Sequence, residues 1–316
     1  MQGVILAAGK GSRLHPITLS RSKAMLPILG KPIVERVMET MAENGIHNFI
    51  VVVSQEDNEI SRYLKEQSTL EVDLQFVVQP ERLGMANALT LAASHIHNGF
   101  IMSACDNLTP SQHVANLLAA HRAKEAQVTL SLMEVEPALV ERTGIVDFQN
   151  GQIRRIVEKP RLEEAPSNIA SLPLYVFSNK IFEFLPQVQL SARGEYELQD
   201  AIQMLIDGGY CVTGAFTDSR LQLTNANDLL ALNRHYLTTG DDTPQLAPLR
   251  VGQHTHLITP LRIEEGTVIG PGCVIGPRVY IERGCTIGAD ALIKDAVILR
   301  NTVIEDGRQV VGTVVS

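Results

Sequence analysis

Residues 3–18 read GVILAAGKGSRLHPIT, and the fold turns on how this stretch ends. GVILAA is a short apolar run of the kind a buried strand requires. It breaks at Gly9 and Gly11, with Ser12 and Arg13 directly after. Glycines at the end of a strand let the backbone turn tightly and let a ligand approach its N–H groups. Arg13 adds a fixed cation. The stretch predicts a strand that opens into a phosphate cradle.

The next hundred residues keep the alternation. KPIVERVMETMAENG (31–45) predicts a helix: Pro32 suits a first turn, Ile33, Val34, Val37, Met38 and Met41 form one apolar stripe, and Gly45 follows its end. NFIVVVS (48–54), VDLQFVVQ (72–79) and GFIMSACDN (99–107) predict strands. DNEISRYLKEQ (57–67) and GMANALTLAASHI (84–96) predict helices between them. Strands alternating with helices imply parallel strands in a doubly wound, Rossmann-like α/β sheet. Such sheets bind ligands at the carboxyl ends of their strands. The loop after the first strand and Asp106, about a hundred residues later, are therefore expected on one edge.

From about residue 125 helices thin out. AQVTLSLMEV, GIVDF, QIRRIVEKP and ASLPLYVFS predict strands of an antiparallel insert or lid. ELQDAIQMLIDGG and NANDLLALNRHYL predict helices, the second capped by Asn225 or Asn227. TTGDDTPQLAP reads as a linker. The resulting division is a large domain at 1–236, a linker at 237–256 and a repeat at 257–316. In the repeat, Ile263, Ile269, Ile275, Ile281, Ile287, Ile293 and Leu299 recur every six residues, with Gly after the aliphatic at 270, 276 and 288. This is the hexapeptide signature of a parallel β-helix, here little more than two coils. Its expected part is to stabilise the chain or join copies into a homo-oligomer.

The chain has 316 residues and a net charge of −8. That balance argues against nucleic acid or an anionic membrane as the main partner. Its four cysteines are scattered without a CxxC pair, which fits a reducing compartment. No segment approaches the roughly 18 apolar residues of a membrane span, and the N-terminus lacks a basic leader. The expectation is a soluble cytoplasmic protein.

GKGSRL is not a dinucleotide fingerprint, because Leu14 stands where the third Gly belongs, and LGKP lacks the Ser or Thr of a Walker loop. The longer run LAAGKGSRLHPITLSRSKAMLPILGKPIV (6–34) resembles the sugar-1-phosphate nucleotidyltransferases, which make nucleotide sugars. The positions that carry the resemblance are Gly9, Gly11, Ser12, Arg13, Pro16, Thr18, Lys23, Leu26, Pro27, Lys31 and Pro32. QPERLGMANAL, ACDN, TGIV, IVEKP, SNIASLPLYVF and GEYELQD follow in family order. The repeat resembles the left-handed β-helix that some members carry.

The resemblance implies nucleotidylyl transfer from dTTP or UTP to a sugar 1-phosphate. It implies nucleotide contacts at Ala7, Ala8, Gly9, Gly11, Ser12, Arg13, Gln79 and Gly84, with Gln79 and Gly84 against a pyrimidine. Arg13 would neutralise the leaving pyrophosphate and Lys23 the α-phosphate, while Lys159 would hold the attacking sugar phosphate. Gly144, Glu158, Asn168 and Tyr175 would face the sugar. Asp106 would hold Mg²⁺. The second metal position falls on Gln222, counted back from Asp228-Leu229-Leu230, or on Asp218. Neutral Gln is the poorer ligand for Mg²⁺. Pro173 and Met85 also depart from the pattern. These departures motivate an alternative, a non-catalytic relative that binds nucleotide sugar and regulates a partner. Acyl transfer by the repeat is disfavoured, because no His follows His256.

Overall fold

The computed structural model describes residues 1–239 and 250–316, which form two compact units. The first comprises residues 1–9 and 34–221, the second residues 10–33 and 222–316. The compact units thus follow a different line from the sequence division, since residues 10–33 group with the repeat. Of the linker expected at 237–256, residues 240–249 lie outside the described residues.

The first unit is built on a sheet of nine strands among the described residues: β1 (Gln2–Leu6), β2 (Asn48–Ser54), β3 (Asp73–Gln79), β4 (Phe100–Ala104), β5 (Val128–Glu134), β6 (Gly144–Gln149), β7 (Gln152–Glu158), β8 (Ile169–Phe177) and β9 (Val212–Phe216). The order β3-β2-β1-β4 is parallel throughout, as the alternation predicts. Helix α1 (Ile33–Ala42) buries the predicted stripe, with Ile33, Val34, Val37, Met38 and Met41 all out of solvent. Gly45 beyond its end takes the positive φ that a helix stop favours.

Of the antiparallel insert or lid expected after residue 125, the structure has an insert within the main sheet and not a separate lid. β8 runs antiparallel along β4, β5 and β6 at once, and β7 pairs β6 beyond it, so these strands extend the same sheet. The reason lies in their composition. Leu172, Leu174, Val176 and Phe177 are fully buried, so both faces of β8 require cover and a free lid strand would leave one wet. The register of β8 against β5 shifts between Leu172 and Tyr175. Pro173 sits in that irregularity, where a residue without an N–H is tolerated.

In the second unit, residues 27–32 form a tight hairpin. A helix, α2 (Ala226–Thr239), is capped by Asn225, whose side chain accepts from the N–H groups of Asn227 (2.9 Å) and Asp228 (3.2 Å). Residues 250–316 form the expected parallel β-helix, with three sheets of four strands each among the described residues. It is therefore longer than the two coils the repeat spells out. The first strands, at Arg250–Val251 and His256–Leu257, and the last, at Val303–Val315, lack the Ile-Gly spelling but pair in register. Ile263, Ile269, Ile275, Ile281, Ile287 and Ile293 fill the interior with Cys273 and Cys285. The expected seventh member, Leu299, does not. Ile281 pairs with Ile298, and Ile298 takes the inward place because the turn at Asp295, which has positive φ, is one residue short of the repeat. Gly270 is required by stacking, since a Cβ there would lie 2.7 Å from the backbone of Gly288 and Ala289 in the next coil.

Ile293→Ala removes a fully buried side chain from this interior. It should destabilise the β-helix by about 2–5 kcal/mol, read as a lower midpoint in urea.

Candidate active site

In the first unit the carboxyl ends of β1, β2, β3 and β4 share one edge of the sheet. The backbone continues in register past two of them: Ala7 N–H donates to Val52 O (2.8 Å) and Cys105 N–H to Leu6 O (3.1 Å). Ala7 and Ala8 are buried and Gly9 is exposed, with open space where a Cβ would stand. Asp106 leaves β4 at this edge, nine-tenths buried. Beside it, Asn107 is buried with neither side-chain polar atom hydrogen-bonded among the described residues, a state that a missing polar partner explains.

β3 ends at Gln79 on the same edge. Its side-chain amide donates to Gly84 O (3.2 Å) and Asn87 Oδ1 (2.9 Å), which fixes the plane of the group. Gly84 has φ of 94°. A Cβ there would lie 2.7 Å from the carbonyl oxygen of Tyr196. Tyr196 clamps this segment from its other side, donating to Leu83 O (2.8 Å) and accepting from Ala86 N–H (3.2 Å). Arg82 adds a tie to the opening loop, donating from Nε to Ala8 O (2.8 Å).

β6 begins and β7 ends at this edge too, because Gly144 pairs with Glu158 and with Ser171 of β8. Glu158 Oε1 lies 3.3 Å from Lys159 Nζ and 3.6 Å from Arg193 Nη2. Its Oε2 is buried without a hydrogen-bond partner among the described residues. Burial pushes the Glu158 carboxyl above its ordinary pKa, against the opposing pull of Lys159 and Arg193. Lys159 itself has φ of 46°, a left-handed conformation costing a side-chain-bearing residue about 1 kcal/mol or more. Its N–H is anchored to Thr143 O (3.1 Å). Arg193 is held by Glu197 at 2.7 Å. Tyr175 is wholly buried beneath, its hydroxyl 3.1 Å from Ser171 Oγ, and burial raises its pKa strongly. It supports this corner from below. Asn168 is exposed just before β8, its carbonyl accepting from Val135 N–H (2.9 Å).

In the second unit Gly11 has φ of 67°, and a Cβ would lie 3.0 Å from Lys23 Cβ. Thr18 donates to Gly11 O (2.8 Å). Ser12 and Arg13 lie in an exposed turn; Lys23 opens a second, capped by Ser22. Gln222 is half-buried. Asp218 belongs to the first unit. It lines a cavity of about 690 Å³ with His113, Asn116, Glu134 and Phe216, which none of the site residues above shares.

Among the described residues no three of His, Cys, Asp and Glu converge as a metal cage. One buried carboxylate, Asp106, fits Mg²⁺, which commonly takes one or two carboxylates and completes its shell with phosphate oxygens and water.

The structure adds residues that sequence reading left unnamed. Arg82, Asn87 and Tyr196 hold the segment around Gly84. Arg193, Glu197 and Gln199 surround Glu158; Gln199 lies 3.5 Å from where a Cβ on Gly144 would stand. GEYELQD marked the last group only as a segment.

An α/β sheet with charged and glycine-bearing loops on its carboxyl edge is the architecture of a nucleotide-binding enzyme. Residues 2–238 match the Nucleotidyl transferase family, and the chain belongs to it. Residues 257–316 match the GMPPB C-terminal domain. The chain is 34% identical over 215 residues to the low-salt glycan biosynthesis nucleotidyltransferase Agl11 of Haloferax volcanii, covering 67% of this chain and 59% of that protein. It is 34% identical over 212 residues to a glucose-1-phosphate thymidylyltransferase of Neisseria gonorrhoeae, covering 66% and 72%. A crystal structure of UDP-glucose pyrophosphorylase complexed with UDP-glucose shares the fold, with a TM-score of 0.68 at 22% identity over 75% of this chain and 98% of that one. The chain spans about half to three-fifths of the length of several curated relatives. No helix among the described residues is long and apolar enough to cross a membrane.

A folded-state carboxyl pKa above its unfolded value means the native protein holds that proton more tightly. The associated stability is present below the ordinary Glu pKa and is lost as pH rises through the raised value. Glu158→Gln cannot ionise. Its melting temperature relative to the parent should therefore climb between about pH 4, near the ordinary Glu pKa, and neutrality. A difference that is flat with pH contradicts the burial effect.

Proposed function

We propose that the chain transfers a nucleotidyl group from dTTP or UTP to a sugar 1-phosphate, releasing pyrophosphate. The observation that carries this reading is the buried, unpartnered Oε2 of Glu158 beside Lys159, on the sheet edge that also bears Gln79 and Asp106. An unpartnered buried carboxylate oxygen calls for hydroxyl donors, and a neighbouring ammonium calls for an anion. A sugar 1-phosphate supplies both.

In this reading the Gln79 carboxamide oxygen accepts from N3–H of the pyrimidine, a group that uracil and thymine share. Gly84 lets the base approach. Main-chain N–H groups from Gly9 to Ser12 hold the triphosphate, and Ala7 and Ala8 lead the strand into that loop. Arg13 neutralises the β- and γ-phosphates, and Lys23 the α-phosphate. Glu158 accepts from sugar hydroxyls, Gly144 leaves room for the ring, Asn168 borders the site, and Lys159 orients the sugar phosphate. One of its oxygens attacks the α-phosphorus; that P–O bond forms as the bond to the β-phosphate bridging oxygen breaks, and pyrophosphate departs with the electron pair. No protein nucleophile is needed, since positioning and charge neutralisation suffice. Mg²⁺ held by Asp106 supplies further charge neutralisation when bound. We read the enzyme as cytoplasmic, which its scattered cysteines without a CxxC pair fit. Homo-oligomer formation would use the β-helix, whose exposed Val268, Thr286 and Val303 stand in register on one sheet.

Two observations favour the alternative, a non-catalytic nucleotide-sugar binder: Asp218 lines another cavity and Gln222 is neutral. The test is a matrix of dTTP and the four NTPs against glucose, N-acetylglucosamine, galactose and mannose 1-phosphates, with Mg²⁺ and pyrophosphatase. The enzyme reading expects phosphate release in one or two combinations. Silence throughout, with nucleotide-sugar binding by calorimetry, supports the alternative. In the productive combination Lys159→Ala and Asp106→Asn should each lower kcat/KM by about 10²-fold or more, as expected for a group acting on transition-state charge. Activity unchanged by either substitution removes that residue from the site.

A further inference from the structure

Residues 10–33 carry Arg13 and Lys23, and among the described residues the rest of the second unit, residues 222–316, holds this segment at three places. Arg21 is the first. It stands two residues before Lys23, and its guanidinium is buried, with the side chain 3% exposed. Nη2 donates to both oxygens of Glu282 at 3.0 Å. Glu282 follows a β-helix strand that ends at Ile281 and is itself buried; its Oε2 also accepts from Arg300 N–H (2.8 Å). The second place is the hairpin turn. Leu29 and Gly30 both have positive φ, and a Cβ on Gly30 would collide with the side chains of Arg262 and Glu264 on the β-helix. Third is Asn233 of α2, fully buried. It accepts from Leu29 N–H (2.9 Å) and donates to Pro27 O (3.2 Å).

A buried ion pair is weak evidence for stability, because desolvating two charges offsets much of their attraction. Its strength is in geometry: once both groups are buried, neither tolerates losing the other. We propose that the β-helix has a working part in the transfer reaction, and that Arg21 and Glu282 are positioning residues that hold the loop of Arg13 and Lys23 in its reactive conformation. This rests on the functional reading above. It differs from the expectation that the repeat serves only stability or assembly. The mechanical reason is short range: Lys23 and Gly11 pack together, Thr18 holds Gly11 O, and Arg21 lies between Thr18 and Lys23 in sequence. A loop freed at Arg21 loses the placement of Lys23, and a displacement of about 1 Å is enough to cost 10²-fold in rate.

The test uses the full chain with Glu282→Gln, Arg21→Gln, the double variant and Arg21→Lys. Two readouts are taken: hydrogen exchange across residues 10–33, and kcat and KM in the productive combination. The proposal expects each Gln variant to lower kcat by tenfold or more with the sugar-phosphate KM within about threefold. The double variant should be no worse than the singles, and Arg21→Lys should recover part of the loss. Exchange should quicken across 10–33 and stay unchanged across β1 to β4. Faster exchange with kcat kept within twofold overturns the positioning role, as do losses in the two singles that simply multiply in the double. If the parent is silent in every combination, the functional reading fails on its own and exchange decides the link: protection at 10–33 unchanged in Glu282→Gln overturns it. If Glu282→Gln does not fold, Arg21→Lys is read by the same criteria.

Discussion

Parallel strands bring their carboxyl ends to one edge, and everything chemical in the first unit depends on that constraint. β1, β3 and β4 deliver Gly9, Gln79 and Asp106 there by direction alone. β8 extends the rule by running the other way. Because it is antiparallel to β4, its beginning, at Ser171, meets the edge where β4 ends. Gly144 and Glu158 come with it through the β6 and β7 pairings. Residues separated by most of the domain's length thus gather without a dedicated loop.

The second unit obeys a different constraint. A β-helix coil leaves its interior filled by stacked Ile side chains and its outer faces open for other segments. One such segment is residues 10–33, which include the hairpin at 27–32 and carry Arg13 and Lys23 of the proposed chemistry. The charged pair Arg21–Glu282 and the closely pressed Gly30 make this a fixed seat rather than a chance contact. The repeat therefore bears on function through the loop it supports.

The parallel half of the sheet was legible because period and punctuation agree in the sequence: an apolar run, a glycine or capped loop, then an amphipathic helix. The fate of residues 126–178 was not, since strand runs show that strands form but not which neighbour they pair with. The repeat was legible where Ile-Gly pairs spell it. It was hidden at both ends, where Arg250–Val251 and Val303–Ile304 keep the pairing without the spelling, and at Leu299, where a one-residue deletion shifts the register. In the site, Glu158 and Lys159 were marked by the family resemblance of IVEKP, since their residues alone read equally as an ordinary strand end. Arg193, Glu197 and Gln199 were not singled out, because their part is to surround Glu158 in space. Nothing in the sequence around Arg21 points to its partner, which lies 261 residues away.

The central claim is a direct displacement at the α-phosphorus, with side chains that position and neutralise and none that takes up the nucleotidyl group on the way. Stereochemistry tests it most directly. With a single diastereomer of the α-thio nucleoside triphosphate and the matching sugar 1-phosphate, one in-line step predicts inversion at the α-phosphorus in the nucleotide sugar. Retention would require two displacements through a covalent nucleotidyl-protein intermediate, and would contradict the account.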